Sequence, residues 1–158
     1  MLAWIDSSWL AEFMRAYQWA FPISEAIHFV GLVILMGSVV VMDLRLLGFA
    51  RGLPVRVIHT LLPWAWVGFT INLITGTMFF ATLPTFYYPN MSLRIKVVLL
   101  LLAGLNALWF QLTVSKDIDS WPDDVDVPGQ VKLIAGTSLA LWIAILCFGR
   151  FIMYWPPI

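Results

Sequence analysis

Between Leu61 and Thr82 no side chain carries a charge. A transmembrane helix needs about 20 mostly apolar residues to cross the hydrocarbon core of a bilayer. Three more runs share this character: Ala26 to Met42, Val97 to Val114 and Leu133 to Gly149. A chain of 158 residues that is 61% hydrophobic and 11% charged has too little polar surface to coat itself in water, because a small domain still exposes part of its surface. Lipid removes that requirement. The sequence therefore predicts an all-α, polytopic membrane protein, a four-transmembrane-helix bundle forming a single membrane domain over 1–158. Its spans fall at about 22–47, 58–82, 94–114 and 131–154.

Ahead of the first span, Trp9, Leu10, Phe13 and Ala20 recur at roughly helical spacing, with Asp6, Glu12 and Arg15 interspersed. This pattern predicts an N-terminal amphipathic interfacial helix over about 4–19. Ser7 or Ser8 is its candidate cap, and Pro22 marks the turn into the bilayer. No Lys or Arg precedes Arg15, unlike the basic start of a secretory signal. The first span is thus expected to act as an uncleaved insertion signal.

Basic residues near span ends set orientation. Arg45, Arg51, Arg56, Lys116 and Lys132 lie on one side, and Arg15, Arg94, Lys96 and Arg150 on the other. The richer first loop points to the cytoplasm. Both termini are then periplasmic in a bacterial inner membrane. Trp4, Trp9, Trp19 and Trp155 form an aromatic belt on the outer side, with Trp121 opposite.

Helices in lipid associate through close packing of small residues and a few interhelical hydrogen bonds. Gly68, Asn72 and Gly76 share a face of the second span, as do Ala103 and Ala107 beside Asn106 on the third, and Gly136, Ala140 and Ala144 on the fourth. These stripes are expected to face the bundle interior or a homodimer partner. Asn72 and Asn106 are expected to bond across helices.

An ionisable side chain inside a membrane is costly and asks for a reason. Glu25 and His28, three apart, share a helix face. Under the predicted topology Arg94, Lys96 and Arg150 reach the same outer depth. Three chemistries fit. The first is a structural network, with Glu25 paired to Arg94 or Arg150. The second is haem b, ligated by His28, with Arg94, Lys96 or Arg150 holding propionates and Met78 as a sixth ligand. The third is a small metal or quinone site on Glu25 and His28. His59 lies too far along the bilayer to share one haem with His28, given a rise of about 1.5 Å per residue. Met91 and Met153 are the other outward methionines.

Asp43 at the inner end of the first span is expected to pair with Arg45, Arg56 or Lys116. The acidic stretch Asp117, Asp119, Asp123, Asp124 and Asp126 reads as a solvated loop, since it lacks the glycine and terminal glutamate of an EF-hand. The lone Cys147 reads as a small buried apolar side chain. No phosphate-binding glycine loop, nucleophile elbow or zinc motif is present. The formal net charge of zero gives no electrostatic footprint for nucleic acid.

The stretch Glu25-Ala26-Ile27-His28-Phe29-Val30-Gly31, running on to Asp43-Leu44-Arg45-Leu46-Leu47-Gly48, with Arg94, Lys96 and Asn106 further on, resembles a family of small bacterial inner-membrane proteins without an assigned function. That resemblance implies a four-helix membrane bundle and supplies no activity. The His-x-x-Gly start of the first span is more loosely similar to membrane cytochrome b and copper-resistance membrane families. From these readings the expected function is a haem-b-binding electron-transfer subunit with a redox partner. The alternative is a non-enzymatic scaffold or transport-related membrane protein whose polar cluster holds helices together or binds a small ligand.

Overall fold

A computed structural model of the chain describes residues 2–114, 118 and 127–155. Among these the helices follow in the order α1 (Ala3–Asp6), α2 (Trp9–Ala16), α3 (Ala20–Leu47), α4 (Val57–Thr82), α5 (Pro84–Tyr87), α6 (Met91–Thr113) and α7 (Gly129–Phe151). No strand occurs among the described residues. The helices α3, α4, α6 and α7 are long and apolar enough to cross a membrane, so the chain is an all-α, multi-pass membrane protein. The acidic residues of 117–126, with Lys116 and Trp121, lie outside the described residues.

The N-terminal segment departs from a single helix over 4–19. It divides at Ser7 and Ser8 because Ser8 caps α2, its side chain accepting the Ala11 N–H at 3.3 Å. The residues of α2 that turn inward are Ala11 and Met14, both buried, while Trp9 stays exposed. This helix packs on α3 and α4. Arg15 secures it, bonded to Asp6 at 2.8 Å and to the Thr82 carbonyl at 3.4 Å. Pro22 does not turn the chain. It sits in the first turn of α3, where a missing N–H costs nothing.

The far end of α3 is set by Gly48, whose φ of 89° is a left-handed conformation that glycine adopts without a steric penalty. Its N–H donates to the Arg45 carbonyl, and the Phe49 N–H donates to Leu44. Several hydroxyls within the spans bond back to their own helix, a turn earlier. Ser24 donates to Ala20, Ser38 to Ile34 and Thr82 to Met78.

Within the bundle α3 is central, packing on both α4 and α7, while α6 packs chiefly on α7. A third of the apolar window of α3 (33%) is buried, against 6% of that of α6. The α3–α4 seam closes at Gly31 and Gly68. A β-carbon on Gly68 would stand 2.5 Å from the Leu35 nitrogen and 2.7 Å from the Gly31 carbonyl oxygen. Gly76, expected on the same face, meets nothing within 4 Å. Asn72 bonds back to its own helix at the Gly68 carbonyl, not across helices, because at this close crossing its amide lies against Gly31. Asn106 does bond across, donating to the Ile134 carbonyl of α7 at 3.1 Å. On α7 the tightly buried small residue is Ala135, while Ala140 is exposed. Cys147 is exposed as well. An apolar run in lipid does not distinguish a core position from a lipid-facing one.

Asn90 joins the start of α6 to the end of α7. Its Oδ1 accepts the Leu93 N–H and starts α6. Its Nδ2 donates to the carbonyls of Ile152 and Trp155, at 3.0 and 3.1 Å. The third span therefore begins at Met91 rather than near 94. The end of the bundle carrying α2, α5 and residues 152–155 is called the terminal end below. Trp4, Trp9, Trp19 and Trp155 are all exposed there.

Candidate functional site

Two places in the bundle hold polar groups that packing alone does not demand. The first surrounds His28, near the terminal end. His28 lies half-buried between α3 and α4. Its Nδ1 is 2.7 Å from Thr75 Oγ1, and its ring stacks obliquely on Phe79 at 5.3 Å. The single Thr75 hydroxyl proton is donated to the Ile71 carbonyl at 2.7 Å. Thr75 therefore accepts from His28, and Nδ1 is the protonated nitrogen. In the neutral ring this leaves the lone pair on Nε2.

The other residues of the expected cluster are spread around this one. Lys96 is half-buried, its stem and ammonium beside Gly149 of α7 at 3.4 Å from a β-carbon position there. Glu25 is exposed, one turn before His28. It lies near enough to Tyr87 that its negative charge, added to the larger effect of burial, pushes the Tyr87 phenol up from its usual 10.0. Arg94 stacks over the Tyr88 ring at 5.7 Å and donates to the Tyr88 carbonyl. Arg150 stacks over the Tyr154 ring at 5.2 Å and donates to its hydroxyl. Met78 sits against the Ser24 hydroxyl, which also faces Met14. No ion pair joins Glu25 to Arg94 or Arg150; the ion pair between described residues is Arg15–Asp6. No group of three or more His, Cys, Asp or Glu able to hold a metal occurs among the described residues.

The second place is at the opposite end of the bundle. There α3, α4, α6 and α7 together line a cavity of about 230 Å³. Because α4 packs chiefly on α3 and α6 chiefly on α7, the helices α4 and α6 face each other across it. The walls are mainly aliphatic, with Trp66, Phe69, Phe110 and Trp142 among them. None of Glu25, His28, Met78, Arg94, Lys96 and Arg150 belongs to the lining.

The polar groups of this wall are Asp43, Asn106, Gln111 and Ser138. Asp43 is 6% exposed, and its Oδ2 has no hydrogen-bond partner among the described residues. Ser138 of α7 lies within side-chain hydrogen-bonding reach of the same carboxyl. The ion pair expected for Asp43 does not form with Arg45 or Arg56. Arg45 turns to the loop and donates from Nε to the Leu53 carbonyl, whereas Arg56 is exposed. A carboxyl two residues from an arginine points to a different side of a helix, since successive residues are about 100° apart. Lys116, the third expected partner, is outside the described residues. His59 is exposed.

Sequence reasoning found Asp43 and Asn106 but assigned them to pairing and packing. It missed Gln111, Ser138 and the aromatic walls altogether. The available signal was an acidic residue close to an apolar run without a cation on its own face.

The chain belongs to a family of unknown function, DUF6644, whose family model matches residues 1–155. No curated protein and no solved structure matches it.

Proposed function

We propose that this family member is a non-enzymatic membrane protein that takes a small lipid-soluble molecule into the cavity between α4 and α6. It sits in a bacterial inner membrane with both termini periplasmic, so the cavity belongs to the cytoplasmic half of the bilayer. The observation that carries the reading is a void of about 230 Å³ walled by all four spans. Protein interiors are close-packed, and voids larger than a water molecule are few. Apolar cavities of comparable size stay dry and take up small arenes. Such molecules concentrate in the bilayer that surrounds the four spans.

The test is stabilisation by propylbenzene in detergent. A ligand that binds only the folded state raises its stability. Gly104 lines the cavity, and a β-carbon there meets nothing within 4 Å, so Gly104→Leu fills the space without a clash at the backbone. Propylbenzene is expected to raise the unfolding temperature of the native protein and to leave Gly104→Leu unmoved. Equal shifts in both proteins, or none in either, would remove the reading.

The second reading is an electron-transfer subunit binding haem b through His28, working with a redox partner or a second copy. What supports it is the Thr75 hydrogen bond, which fixes the ring and presents Nε2 as the ligating nitrogen. Metal-bound histidines commonly donate their other N–H in this way. Its test is the visible spectrum of protein purified after haem-replete expression. A Soret band that His28→Ala removes would favour haem, and a featureless spectrum would end it.

A further inference from the structure

We propose that the ligand of the α4–α6 cavity is a lipophilic ammonium ion whose charged head pairs with Asp43; this rests on the cavity reading above. The first observation is charge. Among the described residues, Asp43 is the one ionisable group lining the cavity, and no Lys, Arg or His joins it. The nearest arginine in sequence, Arg45, is engaged with the loop carbonyl of Leu53. The second observation is the orphaned atom. Asp43 Oδ2 is buried and accepts no hydrogen bond from any described residue, and leaving a buried polar group unsatisfied is costly. A donor brought by the ligand removes that cost, and a cationic donor does so most strongly, because charge-assisted bonds are about twice as strong as neutral ones.

The third observation is the rest of the wall. Trp66 and Phe69 come from α4, Phe110 from α6 and Trp142 from α7. Aromatic faces attract cations, most strongly when the site excludes water. The amide of Asn106 gives one N–H to the Ile134 carbonyl, and its oxygen is an acceptor on the same wall. The one charge that the described lining can carry is thus negative, which suits an ammonium and disfavours a ligand carboxylate. The volume suits a ligand of about ten heavy atoms, near the lower end of ordinary ligand pockets. A single ring with a short aminoalkyl chain is of that size.

Three probes of one shape separate the possibilities: 3-phenylpropylammonium, 3-phenylpropan-1-ol and propylbenzene, each titrated by calorimetry into full-length protein in the same detergent. The ammonium is expected to bind about tenfold more tightly than the alcohol, as a charge-assisted bond in place of a neutral one implies. Asp43→Asn is expected to erase that preference, and Gly104→Leu, which keeps the carboxyl, to abolish binding of all three. If the three probes bind the native protein and Asp43→Asn alike but not Gly104→Leu, the cavity reading stands and the ammonium assignment falls. An ammonium preference that survives Asp43→Asn also overturns the assignment. If no probe distinguishes the native protein from Gly104→Leu, both fall. Should Asp43→Asn not fold, the ammonium-to-alcohol ratio in the native protein, set against its loss in Gly104→Leu, decides the matter alone.

Discussion

The Gly31 carbonyl oxygen of α3 lies only 2.7 Å from where a β-carbon on Gly68 of α4 would stand. The two backbones touch there, and α3 and α4 have no room for a side chain on the Gly68 side. Overpacking of a tight contact costs roughly 1–3 kcal/mol. Gly68→Ala is therefore expected to destabilise the folded protein by about that amount. Gly76→Ala, on the same helix but facing open space, is expected to be neutral or slightly stabilising. Chemical denaturation in detergent, followed by far-UV circular dichroism, measures both.

Asn90 offers a second stability test. Asn90→Ala removes a helix cap and two buried hydrogen bonds, and is expected to cost about 2–4 kcal/mol. Asn90→Asp retains the acceptor that starts α6 but loses the donor to Ile152 and Trp155. It is expected to be destabilising too, since a carboxylate would then face two carbonyl oxygens. Hydrogen exchange at residues 91–94 and 152–155 should rise together in both variants.

His28 and Thr75 give a third. If the imidazole serves only to join α3 and α4, Thr75→Val should cost about 1 kcal/mol, the usual net worth of a buried hydrogen bond, and leave the visible spectrum featureless. If His28 ligates haem, the same substitution should shift the α band and the midpoint potential, because the partner of Nδ1 tunes the basicity of Nε2.

Tyr87 predicts a pH effect at the terminal end. Burial first, and the charge of Glu25 second, hold its phenol above 10.0. A group whose folded pKa is raised binds its proton more tightly in the folded state. Its contribution is thus complete below the ordinary phenol value and is lost as pH rises through the folded one. Absorbance at 295 nm should show one tyrosine titrating late, and this transition should be missing in Tyr87→Phe. Glu25→Gln should lower it only in part, since burial is the larger cause.

Much of the fold was legible in the residues. Uncharged stretches of span length have few places to go other than a bilayer. Gly48 and Pro54, then Pro84 and Pro89, mark the breaks between the first three long helices, and the acidic stretch 117–126 marks the last. The start of α6 was less legible, because Arg94 and Lys96 look like a span's edge although Asn90 caps the helix a turn earlier. Long basic side chains reach back to the interface from inside a helix, so charge marks a span's end only loosely. The His28 cluster was drawn from shared depth. Depth does not give azimuth, and Arg94 and Arg150 lie beside tyrosines on their own chain segments instead.

By itself the sequence determined that this protein spans a membrane with four helices, because no other environment tolerates its apolar runs. It did not determine which faces of those helices meet. Lipid is as apolar as leucine, so a residue gains little by turning inward, and inside and outside read alike. The tertiary structure alone decided that Gly68 and not Gly76 closes the α3–α4 seam. It also decided that α4 and α6 stand apart around a void, and that Asp43 faces that void with no cation among the described residues. Each of these depends on how helices rotate and cross, a choice made by close packing and by single hydrogen bonds rather than by hydropathy.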